Sequence, residues 1–251
     1  VPAATVRPQP PSPVSFSTTS AQLLYGWGFR DQLFGYDASN GRVMTLTVSN
    51  YSTWRYGDSF AFVDVYQAEA FVDGSHTKLY GEWHPRLLLN QLFDDRRPLW
   101  GLLRTYGLAF EINASAGYAA VLAGVGGDFA LPGAAVLGAN LYWRRARVDL
   151  PSGVALTTDG IQLNGYWTVP VEVGPNSVVA TGFVDLVGVA GGGLDLMFQP
   201  QLLVDVLGAL GGARGRLYTG LEWYLHGYRD PSGGGYRWVS APQALVHWTI
   251  F

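Results

Sequence analysis

Few residues of the 251-residue chain have the types and spacing that covalent chemistry needs. There is no Cys, so disulfides, thiolate metal sites and thiol nucleophiles are excluded. The four His residues, His76, His84, His226 and His247, stand at no metal-ligand spacing, and no Gly-x-Ser-x-Gly elbow occurs. Gly-rich stretches at 124–127, 188–193 and 208–215 lack the Gly-Lys-Ser/Thr of a phosphate loop and suit tight turns and close packing. The expectation is a protein that is not an enzyme, with no catalytic residue, no metal and no cofactor. A Ser–His pair assembled only in space is the hydrolase alternative.

The remaining candidates are charged and aromatic side chains at strand spacing. Glu82 and Arg86 share a parity, and Asp64 lies on the corresponding face of a neighbouring segment. Charges drawn together on an enclosed face should pair, because an isolated one is costly to desolvate. The favoured role for this cluster is wall bracing; the sharper one is a constriction that sorts solutes by hydrogen bonding. Arg144 and Glu222 fall on the same kind of face and could extend either arrangement.

The elements that must position these residues are strands. From Ser20 onward the dominant period is two. Ile161, Leu163, Trp167, Val169 and Val171 alternate with Gln162, Asn164, Tyr166, Thr168 and Glu172. Leu217, Thr219, Leu221, Trp223 and Leu225 alternate with Arg216, Tyr218, Glu222, Tyr224 and His226. Turn residues at 56–58, 73–74, 151–153, 174–176 and 231–235 separate the runs. Twelve strands are predicted, at 20–29, 42–54, 59–70, 78–90, 102–113, 117–127, 135–148, 159–173, 177–190, 194–207, 214–228 and 236–250. An even number of such long runs suits strands that cross a bilayer at a tilt.

Composition agrees. Apolar residues make up 48 % of the chain and charged residues 14 %, too few charges to cover a soluble protein's surface comfortably. No stretch approaches the roughly 18–20 uninterrupted apolar residues of a spanning helix. A soluble β-sandwich is the alternative, but Lys78 is the only Lys, and soluble edge strands usually carry Lys to prevent pairing. The net charge of −3 gives no basic footprint for a nucleic acid polymer. Trp27, Trp54, Trp100, Trp143 and Trp238 fall near predicted strand ends, where an interfacial aromatic belt would sit. Residues 1–18 carry Pro2, Pro8, Pro10, Pro11 and Pro13 and are expected to form an extended or disordered arm before a barrel over 19–251. The Val-Pro start and small Ala3 and Ala4 suggest a processed chain delivered to the bacterial outer membrane.

Several blocks in this order resemble the nucleoside-specific channel-forming porin family, Tsx, and its outer-membrane relatives. They are Thr45-Leu-Thr-Val-Ser-Asn-Tyr-Ser-Thr-Trp54, Tyr56-Gly-Asp58, Phe62-Val-Asp64 and Glu82-Trp-His-Pro-Arg86. Gly124-Val-Gly-Gly-Asp128, Leu131-Pro-Gly133, Gln199-Pro-Gln201, Tyr218-Thr-Gly-Leu-Glu222 and Pro242-Gln243 continue the series. The resemblance implies a monomeric twelve-stranded antiparallel barrel whose narrow lumen passes nucleosides by facilitated diffusion. Two features depart from it: the Pro-rich arm, and a last strand in which Thr249 and His247, not Ile250, Trp248 and Val246, share the parity of the terminal Phe251.

A nucleoside is neutral, with a flat base and a hydroxylated sugar, so a lumen that favours it needs aromatic faces and spaced hydrogen-bonding groups. Tyr66, Tyr80, Tyr142, Tyr166, Tyr218, Tyr224 and Tyr228 lie on the expected inward parity, with amides at Gln162, Asn164, Gln199 and Gln201. Tyr is also a common filler of small barrels, which is the plainer role for each of them. The expected partners are membrane lipid and small solutes, with an envelope partner conceivable through the arm. A general porin and a closed structural barrel are the alternative functions.

Overall fold

The computed structural model describes residues 14–95, 97–149, 155–173, 176–189, 193–229 and 235–250. Its elements in chain order are β1 (Val14–Trp27), the short β2 (Arg30–Asp31) and β3 (Tyr36–Asp37), β4 (Arg42–Trp54), β5 (Gly57–Gln67) and β6 (Thr77–Leu88). One helical turn, α1 (Leu89–Leu92), precedes β7 (Leu103–Ser115), β8 (Tyr118–Phe129), β9 (Val136–Asp149), β10 (Ala155–Val173), β11 (Asn176–Val189) and β12 (Gly193–Asp205). A second turn, α2 (Val206–Ala209), leads to β13 (Leu217–Arg229) and β14 (Tyr236–Thr249).

Twelve of these strands close into an antiparallel barrel, each paired with its sequence neighbour. β1 completes the ring by pairing with both β4 and β14. The barrel strands run from 11 residues in β5 to 19 in β10, at or above the ~9–11 residues that a tilted crossing of a bilayer takes. Closure leaves no edge strand in the ring, which a chain in lipid requires. The twelve predicted runs correspond to these strands. β1 begins earlier than predicted, at Val14 inside the expected arm, because Phe16, Ser17 and Thr18 find ladder partners at Thr53, Ser52 and Tyr51. Residues 1–13, Phe251, the predicted turn at 151–153 and most of the predicted turns at 174–176 and 231–235 lie outside the described residues.

The alternation sorts side chains between two faces. Leu46, Val63, Leu79, Ile112, Val125, Leu141, Ile161, Leu202, Leu221 and Val246 point outward and are all exposed. In water this apolar girdle would far exceed the patches soluble monomers tolerate. The buried residues lie inside, where polar and small side chains fill the lumen wall. Trp27 and Trp54 close β1 and β4, and Trp238 lies near the start of β14. Trp143 corrects the sequence expectation: it sits mid-strand in β9, facing outward.

Two prolines break the ladder locally. β6 pairs with β7 at Trp83↔Ile112 and again at Arg86↔Ala109, so His84 and Pro85 face Glu111 and Phe110 across an unpaired gap. β12 pairs with β13 at Phe198↔Leu225 and at Gln201↔Glu222, leaving a matching gap at Gln199 and Pro200. Proline has no N–H to donate, so each gap loosens the wall at one point.

Candidate functional site: the lumen and its mouth

Three groups of side chains line the lumen from one end to the other. At the end where the chain termini of the barrel meet, Arg86 near the close of β6 projects between Asp58 at the start of β5 and Asp128 near the end of β8. Its guanidinium donates to both oxygens of Asp58, at 2.7 and 2.5 Å, and to both of Asp128, at 3.0 and 3.2 Å. Tyr166 Oη sits against the same guanidinium and donates to Asp128 Oδ1 at 2.7 Å, and Thr105 Oγ1 donates to Asp128 Oδ2 at 2.6 Å. Two bidentate forks satisfy a planar cation that is only 9 % exposed.

The middle of the lumen carries amides and carboxylates. Glu222 accepts from Gln201 at 2.5 Å and from Gln243 at 2.6 Å, and Gln22 contacts Gln201 and His247 beyond. Asp185 accepts from Gln162 at 3.1 Å and Asn164 at 2.8 Å. On β6, His84 Nε2 lies 2.6 Å from Glu82 Oε2, and across the β6–β7 gap His84 Nδ1 lies 3.2 Å from Glu111 Oε2. Tyr80 Oη donates to Glu82 Oε1, while Arg144 donates to Tyr118 Oη at 2.8 Å.

The opposite mouth is narrowed by the chain itself. Residues 28–41 leave β1, form the β2–β3 hairpin and fold inward instead of standing above the barrel. Asp31, fully buried, accepts from Tyr224 Oη and lies 2.6 Å from His226 Nδ1. His226 Nε2 in turn lies 2.7 Å from Asp195 Oδ1. Phe34 stacks on His226 with ring centroids 4.3 Å apart, and Tyr36 stacks on Tyr66 at the same distance. The backbone of the segment also bonds to the β5–β6 loop, through Ser39 N to Ala70 O and Val72 N to Asp37 O. The hairpin thus spans from the wall of β13 to that of β5, across β14, β1 and β4.

Every expected lumen residue lies on the inward parity, but the expected charge cluster does not form. Asp64 is held by Thr47 at 2.5 Å and Tyr66 at 2.8 Å; Glu82 faces His84; Arg86 takes Asp58 and Asp128. The reason is geometric. Glu82 and Arg86 are four residues apart on one strand, ~13 Å at ~3.3 Å per residue. Register sets Tyr80 opposite Asp64 and Asp58 opposite Arg86. Nor do Arg144 and Glu222 extend a common cluster, since Tyr118 holds one and Gln201 with Gln243 the other.

Burial separates the expected aromatics further. Tyr66, Tyr142 and Tyr224 are buried, as is Tyr228, so their ring faces are packed by protein. Tyr80, Tyr166, Tyr218 and Gln199 are half-buried. Three inward aromatics not singled out from sequence remain open: Phe16, Tyr51 and Phe60, at 53, 36 and 39 % exposure. Phe16 lies 6.4 Å from Tyr51, and Phe60 lies 5.9 Å from both Phe62 and His84, centroid to centroid. Register alone assigns them inward: Phe60 is opposite His84 and Tyr51 opposite Phe60.

No family model matches the chain, and no curated protein matches it. Among solved structures it is similar to the β domain of the Bordetella autotransporter Brka, with 11 % identity, TM-score 0.32, and 92 % of this chain and 98 % of that one covered. It is also similar to an anion-selective porin from Comamonas acidovorans, with 7 % identity, TM-score 0.31, and coverage of 94 % and 99 %. Pseudomonas aeruginosa OccK5 (OpdH) gives 10 % identity, TM-score 0.24, and coverage of 93 % and 97 %. With scores this low, the functional conclusion rests on the barrel's own geometry.

Proposed function

We propose that this chain is a monomeric channel of the bacterial outer membrane through which nucleosides and similar small neutral solutes diffuse passively. The observation that carries this is the open aromatic strip of Phe16, Tyr51 and Phe60 on one wall of the lumen, beside amides and hydrogen-bonded charges. A base can stack on exposed rings while its sugar exchanges hydrogen bonds with residues such as Gln199, Gln201 and Tyr166. The lumen carboxylates are engaged by protein donors, Asp64 by Thr47 and Tyr66, Asp185 by Gln162 and Asn164, and Glu222 by Gln201 and Gln243, so the exposed rings are the surface left for a solute to contact. Conduction also needs weak, repeated contacts, which a strip supplies and a deep pocket does not.

The test is uptake of labelled nucleosides into liposomes carrying the folded protein, against sugars of similar size. Saturable uptake that favours nucleosides and is reduced in Phe60→Ala but not in Tyr142→Phe supports the proposal. Equal flux of all solutes would make the barrel a general porin. The inward hairpin favours one further reading, a closed structural barrel in an envelope assembly. Absence of flux from folded protein would select it, with the N-terminal arm as its contact.

A further inference from the structure

We infer that Glu82, His84 and Glu111 form a lumenal binding site for a divalent transition-metal ion of the zinc class. One donor atom from each of the three lies within 4.8 Å of the other two. One imidazole and two carboxylates are a donor set that zinc and its neighbours accept, with a further position left for water from the lumen. Bound at ~2.0–2.2 Å, such an ion separates its ligand atoms by roughly 3–3.5 Å. Glu82 meets the ring at Nε2 and Glu111 at Nδ1, so one carboxylate swings to the nitrogen that takes the ion.

Two observations distinguish this cluster from an ordinary ion pair. Glu111 is 2 % exposed, and its Oε2 receives no hydrogen bond, although it points toward His84 Nδ1 at 3.2 Å. The one cationic group near that oxygen is the His84 imidazole, which Glu82 shares, so two carboxylates compete for a single positive partner. Second, the surroundings orient the other donors. Tyr80 Oη holds Glu82 Oε1, which leaves Oε2 turned to the imidazole, and the Pro85 ladder gap puts His84 and Glu111 face to face. A hydrogen bond that fixes a ligating carboxylate is the usual outer support of a metal site. The cluster carries two carboxylates against one imidazole, so a divalent ion balances its charge. None of this depends on what the lumen passes.

The experiment uses full-length, detergent-folded protein without a His tag, stripped with a chelator and titrated with Zn2+ alone. Calorimetry should show one saturable ion per chain, and X-ray absorption of the wild type should show one imidazole nitrogen among oxygen ligands. Glu82→Gln and Glu111→Gln should each weaken binding by at least the ~10–100-fold that loss of an outer partner alone costs, and Tyr80→Phe by about tenfold. His247→Ala, elsewhere in the lumen, should leave affinity unchanged. Absence of saturable binding to the wild type would overturn the assignment. So would a first shell holding no imidazole or more than one, an outcome that requires no variant to fold.

Discussion

Replacing Arg86 by Met removes the cation between Asp58 and Asp128 while keeping most of the apolar stem. Four charge-assisted hydrogen bonds of 2.5–3.2 Å are lost, and two carboxylates, each under a tenth exposed, are left facing each other, Asp128 with Tyr166 and Thr105 as donors and Asp58 with Tyr51. Removing one partner of a buried ion pair costs about 3–5 kcal/mol. For a urea slope of ~3 kcal/mol per M, that is a midpoint lowered by ~1–2 M. The assay is equilibrium unfolding of the barrel in lipid vesicles, followed by Trp fluorescence. Arg86→Lys should lose less, ~1–2 kcal/mol, because it keeps the charge but not the planar fork. The triple variant Arg86→Met, Asp58→Asn, Asp128→Asn should recover most of the stability, since its cluster is neutral. A midpoint for Arg86→Met within ~0.2 M of wild type would refute the reasoning. So would a triple variant no more stable than the single one.

Three further outcomes follow from other parts of the barrel. Asp31→Asn should weaken the latch to Tyr224 and His226 by ~1.5–3 kcal/mol, giving larger single-channel conductance and cleavage within 28–41 about tenfold faster or more; unchanged conductance and cleavage would contradict the latch. Leu141→Arg, mid-strand on the outward face, should destabilise the barrel by ~2–4 kcal/mol if that face meets the bilayer midplane, and vesicle unfolding titrations measure it. In the β5–β6 loop, the hydrogen bond from Lys78 holds the Asp73 carboxyl down at about 2. Its contribution is therefore complete above the ordinary carboxylate range near ~4 and fades as pH falls toward 2. Half exposure limits that contribution to ~0.2–1 kcal/mol. Lys78→Met should raise the Asp73 titration, followed by NMR, but leave it below the free carboxyl range because Ser75 still donates to it.

The strands, their number and the inward or outward assignment of each candidate residue were determined by the sequence itself. Period two is a local property: Ile161 and Gln162 fall on opposite faces of any strand, and lipid outside with polar groups inside selects which is which. Contacts across the lumen were not local. Arg86 meets Asp128 from 42 residues away, and Asp31 meets His226 from 195 away, pairings that depend on register, closure and the inward path of residues 28–41. The four-residue separation of Glu82 and Arg86 was legible as too long for a shared contact, yet their true partners were not, because a nine-residue connection between β5 and β6 permits more than one register. Glu82 and His84 stood together in the sequence as alternate residues. Only the β6–β7 pairing brought Glu111 opposite them, and only closure of the barrel buried it there.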